Sequence, residues 1–583
     1  MKPFYRSLLF CLFSFSFLLS QAQDLQEVVG RISDAQNGKP LPFATLVTSS
    51  GLGSTTDEEG YFKIKVKAAE SLRISYVGYQ TKEISLADSS DFLNIALVPL
   101  VTEIQTVNIS AKNDYLYKLV AYARFSLAQK SDTARAYYSL ATTIDDAPIE
   151  RMEAYYNANI QGYDLQNLKL KNGRIGIRPF KERYFVSVRS TYALLLHKLT
   201  QQPDYFPESP IGLGKGRLKR NFKLQFDGRY WDEKGNRIYR IAFEPLKDKE
   251  RSFSGTLWVD SARKAFVKVE LRKQQTATHP FLPLFKDGEI ESADIFIRKQ
   301  FTLKGNWYYL QSVDFEYHLD YRSRKDELQK IKTKALLYAY DYDRPFLLPR
   351  FEFPEGLTNE YRQINALPHQ SEFWDHPERF QLPDIAGETQ AFFTSSKTHR
   401  AKDALQKSRI SKHHLFEHPY SIWNGQRIVM RNEPIKHSQK PSHYNQFEVN
   451  VRADLYQFKV QLFLDLTQWQ DSLSTHTAAI FDPYQSFYRY EQDSLSAVVL
   501  NLYFDLAEVY RRKLAQAIEK ENKRGAILAA YRKVKEAYQA EAALFLADVE
   551  LGQNRFALRS WNDKLRQETG IDNIALFWRE KRE

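Results

Sequence analysis

The sequence predicts a multidomain chain, mainly β and then α+β: a first domain of short strands, a large central antiparallel curved sheet, and a C-terminal helical hairpin with a small sheet. Three observations predict it. Between about Glu27 and Pro99, short alternating apolar runs are separated by Gly, Pro and Asp turns. Between about Asn113 and Pro349, longer runs of strand composition face each other across Lys234-Gly235-Asn236 and Lys304-Gly305-Asn306. Beyond about Ser494, apolar residues recur at helical spacing over two long stretches. A length of 583 residues is enough for about three or four domains.

At the N-terminus, Lys2 and Arg6 precede an apolar run from Leu8 to Leu19, and Ser20-Gln21-Ala22 supplies small residues for cleavage. Residues 1–22 therefore read as a signal peptide and Gln23 as the first mature residue, placing the chain in the periplasm or at the outer membrane. The run is shorter than the about 20 apolar residues that cross a bilayer, so no transmembrane span is expected in the mature chain. Cys11 is the sole cysteine and lies in the removed segment without a lipobox. Disulfides, cysteine nucleophiles and thiolate metal sites are thereby excluded. The formal charge is +12, two units of which sit in Lys2 and Arg6. A basic exported chain points to an anionic neighbour such as lipopolysaccharide, a membrane surface or an acidic glycan. Nucleic acid is not expected, because the compartment is wrong and no recognition motif is present.

Residues 23–100 form the first expected domain. Its strands are Val28–Ile32, Phe43–Val47, Tyr61–Val66, Leu72–Tyr79 and Leu93–Leu97, with turns at Asn37-Gly38-Lys39-Pro40 and Thr56-Asp57-Glu58-Glu59-Gly60. Asp57, Glu58 and Glu59 invite a calcium reading, but acids followed by Gly60 are what a turn requires. The residues Gly30, Gly38-Lys39-Pro40-Leu41-Pro42-Phe43-Ala44, Thr55–Phe62 and Ser75-Tyr76-Val77-Gly78-Tyr79 resemble the carboxypeptidase-regulatory-like domain. That resemblance implies a non-catalytic, transthyretin-like β-sandwich of the kind found at the N-termini of exported Bacteroidota proteins.

Residues 113–349 open with a helix marked by Leu116, Leu119, Val120, Ala123 and Leu127. Hairpins follow at Arg229–Trp231 with Ile238–Phe243, Gly255–Asp260 with Phe266–Leu271, and Asp294–Leu303 with Tyr308–His318. Consecutive antiparallel hairpins with aromatic alternation predict a large curved sheet or half-barrel. It is similar to the curved sheets of lipoprotein-carrier proteins, most nearly over Gly255–Leu271. That resemblance implies a concave face for an apolar ligand, while a solid core behind the sheet is the alternative. Residues 350–443 read as a Pro-rich and basic linker region, interrupted by Pro354, Pro368, Pro377 and Pro383. His399, His413, His414 and His418 fit no metal spacing and stand in a basic stretch that repels cations.

Residues 444–583 begin with strands at Phe447–Val451 and Phe458–Leu464. Asp493-Ser494 caps a long helix with the apolar stripe Leu495, Val498, Val499, Leu502, Leu506, Val509 and Leu514, and Lys523-Arg524-Gly525 turns it into a second helix. Phe504–Leu514, Leu551-Gly552 and Trp561-Asn562 resemble a family of secreted zinc-dependent peptidases carrying a His-Glu-Gln-x-His-Phe-Asp core. The resemblance covers about Phe447 to Gly570. It implies a zincin-like hairpin in which Val499, Tyr503 and Leu551 stand where three metal ligands belong, and Leu500 where the general base belongs. No catalytic residue, metal or cofactor is expected from this set, because Val and Leu have no lone pair and tyrosine is a poor zinc ligand near neutral pH.

The sequence is thus read as an exported, non-catalytic binding or scaffold protein of the cell envelope with a pseudo-peptidase C-terminal domain. Its expected partner is an envelope protein, glycan or lipid, with oligomeric state undetermined. Two alternatives stay open. One is an envelope hydrolase with an unrecognised site, for which Asp505 and Glu508 are the candidate carboxylates. The other is an accessory part of an outer-membrane import system, although the chain lacks the repeated amphipathic strands and terminal aromatic of a large barrel.

Overall fold

The computed structural model describes residues 26–578 except 50–52, 67–69, 87–91, 101–108, 126–130, 181–182, 185–189, 200–204, 248, 284–287, 324, 326, 354–359, 377, 385–386, 397–419, 431–455, 470–471, 484 and 489–492. The expected signal peptide, the four-histidine stretch and the strand at Phe447–Val451 lie outside the described residues.

Seven strands build the N-terminal unit: β1 (Gln26–Asp34), β2 (Thr45–Thr48), β3 (Gly53–Thr55), β4 (Tyr61–Val66), β5 (Ser71–Ser75), β6 (Lys82–Ser85) and β7 (Phe92–Leu97). They form two sheets, β4-β1-β7 and β3-β2-β5-β6, closed over Val28, Ile32, Leu46, Phe62, Leu72, Ile74 and Ile95. Along β4 burial alternates residue by residue, as its sequence requires. The turn before it needs glycine: Gly60 sits at φ 80°, and a Cβ there would meet the Ile32 carbonyl oxygen at 2.4 Å. β3 and β6 have no counterpart in the sequence reading.

Helix α1 (Ile109–Ala123) leads into a sheet made of β8 (Asp132–Ile144), β9 (Ala147–Gln161), β10 (Asp164–Ile177), β11 (Phe222–Trp231), β12 (Arg237–Pro245), β13 (Ser254–Asp260), β14 (Ala265–Thr276), β15 (Glu289–Lys304), β16 (Trp307–Arg322) and β17 (Leu328–Asp341). The ten strands run in the order β10-β9-β8-β17-β16-β15-β14-β13-β12-β11, every pair antiparallel. After β10 the chain crosses to the far edge through α2 (Ser190–Leu196) and α3 (Lys215–Asn221), then meanders back until β17 meets β8, with Ile331 opposite Ile144. The predicted hairpins correspond to β11–β12, β13–β14 and β15–β16, and their turn glycines Gly235 and Gly305 stand at φ 71° and 62°.

Both faces of this sheet are covered. Tyr138, Ala154, Tyr156 and Leu337 point into a core shared with Leu116, Leu119 and Val120 of α1 and with Leu194, Phe206 and Leu218 of the crossover. Their chain neighbours Tyr137, Tyr155 and Tyr338 point the other way, into a cluster of Phe346, Phe373, Trp374, Phe380 and Trp469. The α1 side is therefore filled with side chains where the sequence left a ligand-holding concavity open. Further along the second face the N-terminal unit docks: Arg73 pairs with Glu233 at 2.8 Å, Lys334 pairs with Glu58, and Lys268 lies 5.2 Å from the Tyr76 ring.

The region read as a linker is packed wherever it is described. Its segments α4 (Glu360–Ala366), α5 (Ser371–Trp374) and α6 (Glu388–Ser395) lie against the sheet because aromatic side chains between the prolines are buried there. Arg379 ties the segment down, donating to the Tyr155 hydroxyl at 2.6 Å and to the Trp374 carbonyl at 2.7 Å. Prolines cut the periodicity that a sequence reader uses, without preventing burial.

The C-terminal unit combines β18 (Ser421–Ile422), β19 (Val460–Gln468) and β20 (Leu473–Phe481), ordered β18-β20-β19, with α7 (Ser494–Ile518), α8 (Arg524–Val549), α9 (Arg555–Thr569) and α10 (Asn573–Phe577). It is locked to the large sheet by a fully buried ion pair: Lys171 on β10 reaches Asp465 on β19 at 2.5 Å and also donates to the Leu347 and Leu466 carbonyls at 2.9 and 2.8 Å. The Lys171 ammonium thus meets three acceptors, one for each N–H, as a buried cation requires. Lys171→Met is expected to lower stability by about 3–5 kcal/mol by stranding Asp465, and Lys171→Met with Asp465→Leu to recover most of that loss, as measured by urea unfolding.

A second buried cation, Lys299 on β15, donates to the His197 carbonyl at 2.9 Å and lies 3.6 Å from Asp164. Burial pushes its ammonium down to about 8, only partly opposed by Asp164. The unfolded chain therefore binds more protons between about pH 8 and the ordinary lysine value, and this penalty on the folded state is full below pH 8 and fades as pH rises. Relative to Lys299→Met, the parent should gain up to about 3 kcal/mol of stability between pH 7 and pH 10.5, read from paired denaturation curves.

Candidate functional site

Helix α7 carries the positions that the sequence singled out. Its start is capped by the Asp493 carboxylate, which accepts from the Ser496 amide at 2.7 Å. Val499, Leu500 and Tyr503 fall in one apolar cluster with Leu462, Phe481, Tyr538 and Phe545, and Leu551 packs against the same cluster from the turn after α8. Val499 and Leu500 are 0% exposed and Tyr503 is 9% exposed. That turn takes three successive left-handed residues, Glu550, Leu551 and Gly552, at φ 45°, 58° and 95°. Gly552 abuts Leu495, one turn before Val499, where a Cβ would come within 2.8 Å of the Leu495 Cβ.

The residues present do not fit zinc. Val499, Leu500 and Leu551 offer no donor atom, and burial raises the Tyr503 phenol, keeping it protonated. Tyr503 instead faces aromatic neighbours, with the Phe458, Tyr538 and Phe545 ring centroids at 6.0, 6.4 and 6.2 Å.

The two carboxylates of the hydrolase reading are committed elsewhere. Asp505 is fully buried and accepts from Arg427 at 2.8 and 3.0 Å, from the Trp423 indole at 2.7 Å and from the Asn573 amide at 2.7 Å. Glu508 is gripped by Arg511 and Arg512 at 2.8 and 2.9 Å. The Trp561-Asn562 pair is structural as well: Asn562 accepts from the Asn573 amide at 3.0 Å, so α10 is oriented toward Asp505, and the Trp561 indole donates to Asp548 at 3.0 Å. Trp423, Arg427 and Asn573 were not found by reading the sequence. Only the Asn424-Gly425 turn signal lies near the first two, and nothing local ties any of them to Asp505.

Beside Tyr503 opens a groove of about 800 Å³ between β19 and α8. One wall is Phe458, Val460 and Leu462 of the β19 side, and the other is Tyr531, Lys535 and Tyr538 of α8. β19 is an edge strand whose outer side is partly satisfied from within the chain. The Arg350 amide donates to the Leu464 carbonyl at 2.7 Å, the Gln461 amide side chain accepts from the Glu352 N–H and donates to its carbonyl, both at 2.8 Å, and the Tyr531 hydroxyl donates to the Leu462 carbonyl at 3.1 Å. Lys459 and Lys535 each reach Glu352 at 3.1 Å and hold its carboxyl below the usual range. Burial, with Glu352 adding to it, pushes the Tyr531 phenol up to about 12, so it remains a hydrogen-bond donor. The groove combines a strand edge with apolar and aromatic walls and the Lys459 and Lys535 ammoniums, which is chemistry for holding an extended chain.

Asp505→Ala should cost about 3–5 kcal/mol by leaving Arg427 buried without its anion, whereas Glu508→Ala should cost about 1 kcal/mol or less because Arg511 and Arg512 are 25% and 41% exposed. Urea midpoints of the two variants check the ranking.

Among solved structures, the chain is similar to the Pseudomonas aeruginosa MucA/MucB complex, with 10% identity over 39% of this chain and 93% of that one at a TM-score of 0.14. It is also similar to an outer membrane lipoprotein-sorting protein domain from Vibrio parahaemolyticus, with 10% identity over 42% and 98% at 0.18. A LolA superfamily protein from Nitrosomonas europaea matches with 9% identity over 42% and 96% at 0.15. No curated protein matches the chain. Residues 28–109, which contain all of β1–β7 but the first two residues of β1, match the family described as CarboxypepD_reg-like domain.

Proposed function

We propose that this chain is an exported, non-catalytic binding or scaffold protein of the cell envelope, whose C-terminal unit is a peptidase-like fold without metal chemistry. The observation that carries this reading is the burial of Val499 and Leu500 at 0% exposure in the apolar core of α7, where a hydrolytic site would need two solvent-facing donors. Asp505 and Glu508, saturated by arginines, leave no free carboxylate on that helix to take their place. What remains is the groove along β19, suited to an extended peptide segment of an envelope protein that adds to the strand edge.

The purified full-length protein is expected to contain no stoichiometric zinc by elemental analysis and to show no chelator-sensitive peptide hydrolysis; finding both would overturn the proposal. Cross-linking in envelope fractions should place partner peptides against Lys459 and Lys535. Cross-links confined to other surfaces would remove the groove from the reading while leaving the non-catalytic assignment to the zinc measurement.

A further inference from the structure

The outward side of α1 runs against the usual pattern of a surface helix. Its inner positions Leu116, Leu119, Val120 and Ala123 are buried on the sheet. The outward stripe reads Tyr115, Lys118, Tyr122 at the spacing i, i+3, i+7, Phe125 follows in the turn just after the helix, and the three rings are 44%, 51% and 66% exposed in chain order. Charged and polar residues belong at such positions. Aromatic rings on the solvent side contribute nothing to the core, and a contiguous exposed patch of this kind marks an interaction surface.

The patch continues onto the edge of the large sheet. The register pairs Trp231 with Arg237 and Arg229 with Tyr239, which puts these four side chains on one face of β11 and β12. Tyr239 contacts Tyr115 of α1 with ring centroids 5.6 Å apart, so helix and hairpin form one surface. Trp231 is itself 41% exposed. Cations accompany the rings: Arg124 lies 4.4 Å from Phe125, Lys264 lies 5.2 Å from Tyr122, and Arg229 and Arg237 lie 5.7 and 5.4 Å from Trp231. Next to α1, the short helix α3 adds Lys215 and Lys219, which share the single carboxylate of Asp114 with Lys118 at 2.9, 2.5 and 3.4 Å. Three ammonium groups on one acid leave the surface positive.

Tyr, Trp and Phe rings flanked by Lys and Arg are the composition of a protein face that rests in the headgroup layer of a bilayer, where rings reach the acyl boundary and cations meet phosphate. Among the described residues no helix is long and apolar enough to cross a membrane, so the contact is peripheral. We propose that the face formed by α1, α3 and the β11–β12 hairpin is a docking surface for the anionic phospholipid headgroups of a membrane. This goes beyond the groove reading, uses none of its residues, and stands or falls separately from it.

Co-sedimentation of the full-length protein with vesicles tests it. Binding is expected to vesicles of phosphatidylcholine containing about one third phosphatidylglycerol, to weaken as salt rises, and to be absent with phosphatidylcholine alone. Tyr122→Ser with Phe125→Ser should lower the partition coefficient about tenfold through lost ring burial. Lys215→Gln with Lys219→Gln should lower it about fivefold per charge removed. Phe556→Ser, altering a side chain on α9 that is 86% exposed, should leave it unchanged. Equal binding to both vesicle types, no binding to either, or the same loss in Phe556→Ser would overturn the proposal. A concentration-dependent dimer in analytical ultracentrifugation that Tyr122→Ser with Phe125→Ser abolishes would assign the face to a second copy and also overturn it.

Discussion

A sheet whose two faces both carry large apolar side chains has to be covered twice, and the organisation of this molecule follows from that requirement. Along β8, β9 and β17, consecutive tyrosines and aliphatic residues point to opposite sides, so neither face can be left to water. One face is closed by α1 and the crossover that carries α2 and α3. The other is closed by the N-terminal sandwich, the aromatic segment around Phe373 and Phe380, and Trp469 just after β19 of the C-terminal unit. The crossover is also a topological necessity, because the chain must reach the far edge after β10 before it can return and pair β17 with β8.

The C-terminal unit is held by polar bonds as much as by burial. Lys171 and Asp465 join it to the sheet, and inside it Asp505 collects Trp423 and Arg427 from one stretch of chain and Asn573 from another. Buried ionic groups of this kind contribute little net stability but penalise every arrangement in which a partner is missing. The carboxylates of α7 are thereby spent on assembly, and the helix is buried on all sides from Val498 to Tyr510.

The two surfaces proposed for partners differ in chemistry. The groove by Tyr503 presents an edge strand with aromatic walls and lysine ammoniums, suited to recognition of an extended chain. The face of α1 with the β11–β12 hairpin presents rings and cations without a cleft, suited to a charged planar layer.

Legibility in the sequence depended on how each element is buried. The N-terminal sandwich was readable because its strands are buried on one face only, so alternation and turn glycines survive in Tyr61–Val66 and at Gly60. The later hairpins of the central sheet were readable through Gly235 and Gly305, and the long helices through the helical spacing of their apolar residues, although α7 is buried on all sides from Val498 to Tyr510. β8, β9 and β10 were missed, and β9 shows why: Glu150, Glu153 and Asn157 stand at buried positions among its apolar residues, so composition does not follow burial and shows no clean period. The aromatic segment with Phe373, Trp374 and Phe380 was read as part of a linker because proline breaks periodicity even where side chains are buried. The sequence by itself determined which residue types stand at Val499, Leu500, Tyr503 and Leu551, and with them the absence of zinc donors. Only the tertiary structure decided which residues partner Asp505 and Lys171, that Tyr503 opens onto a groove, and that Tyr115, Tyr122, Phe125 and Trp231 share one surface. Each of those depends on contacts between residues far apart in the chain, which no local pattern encodes.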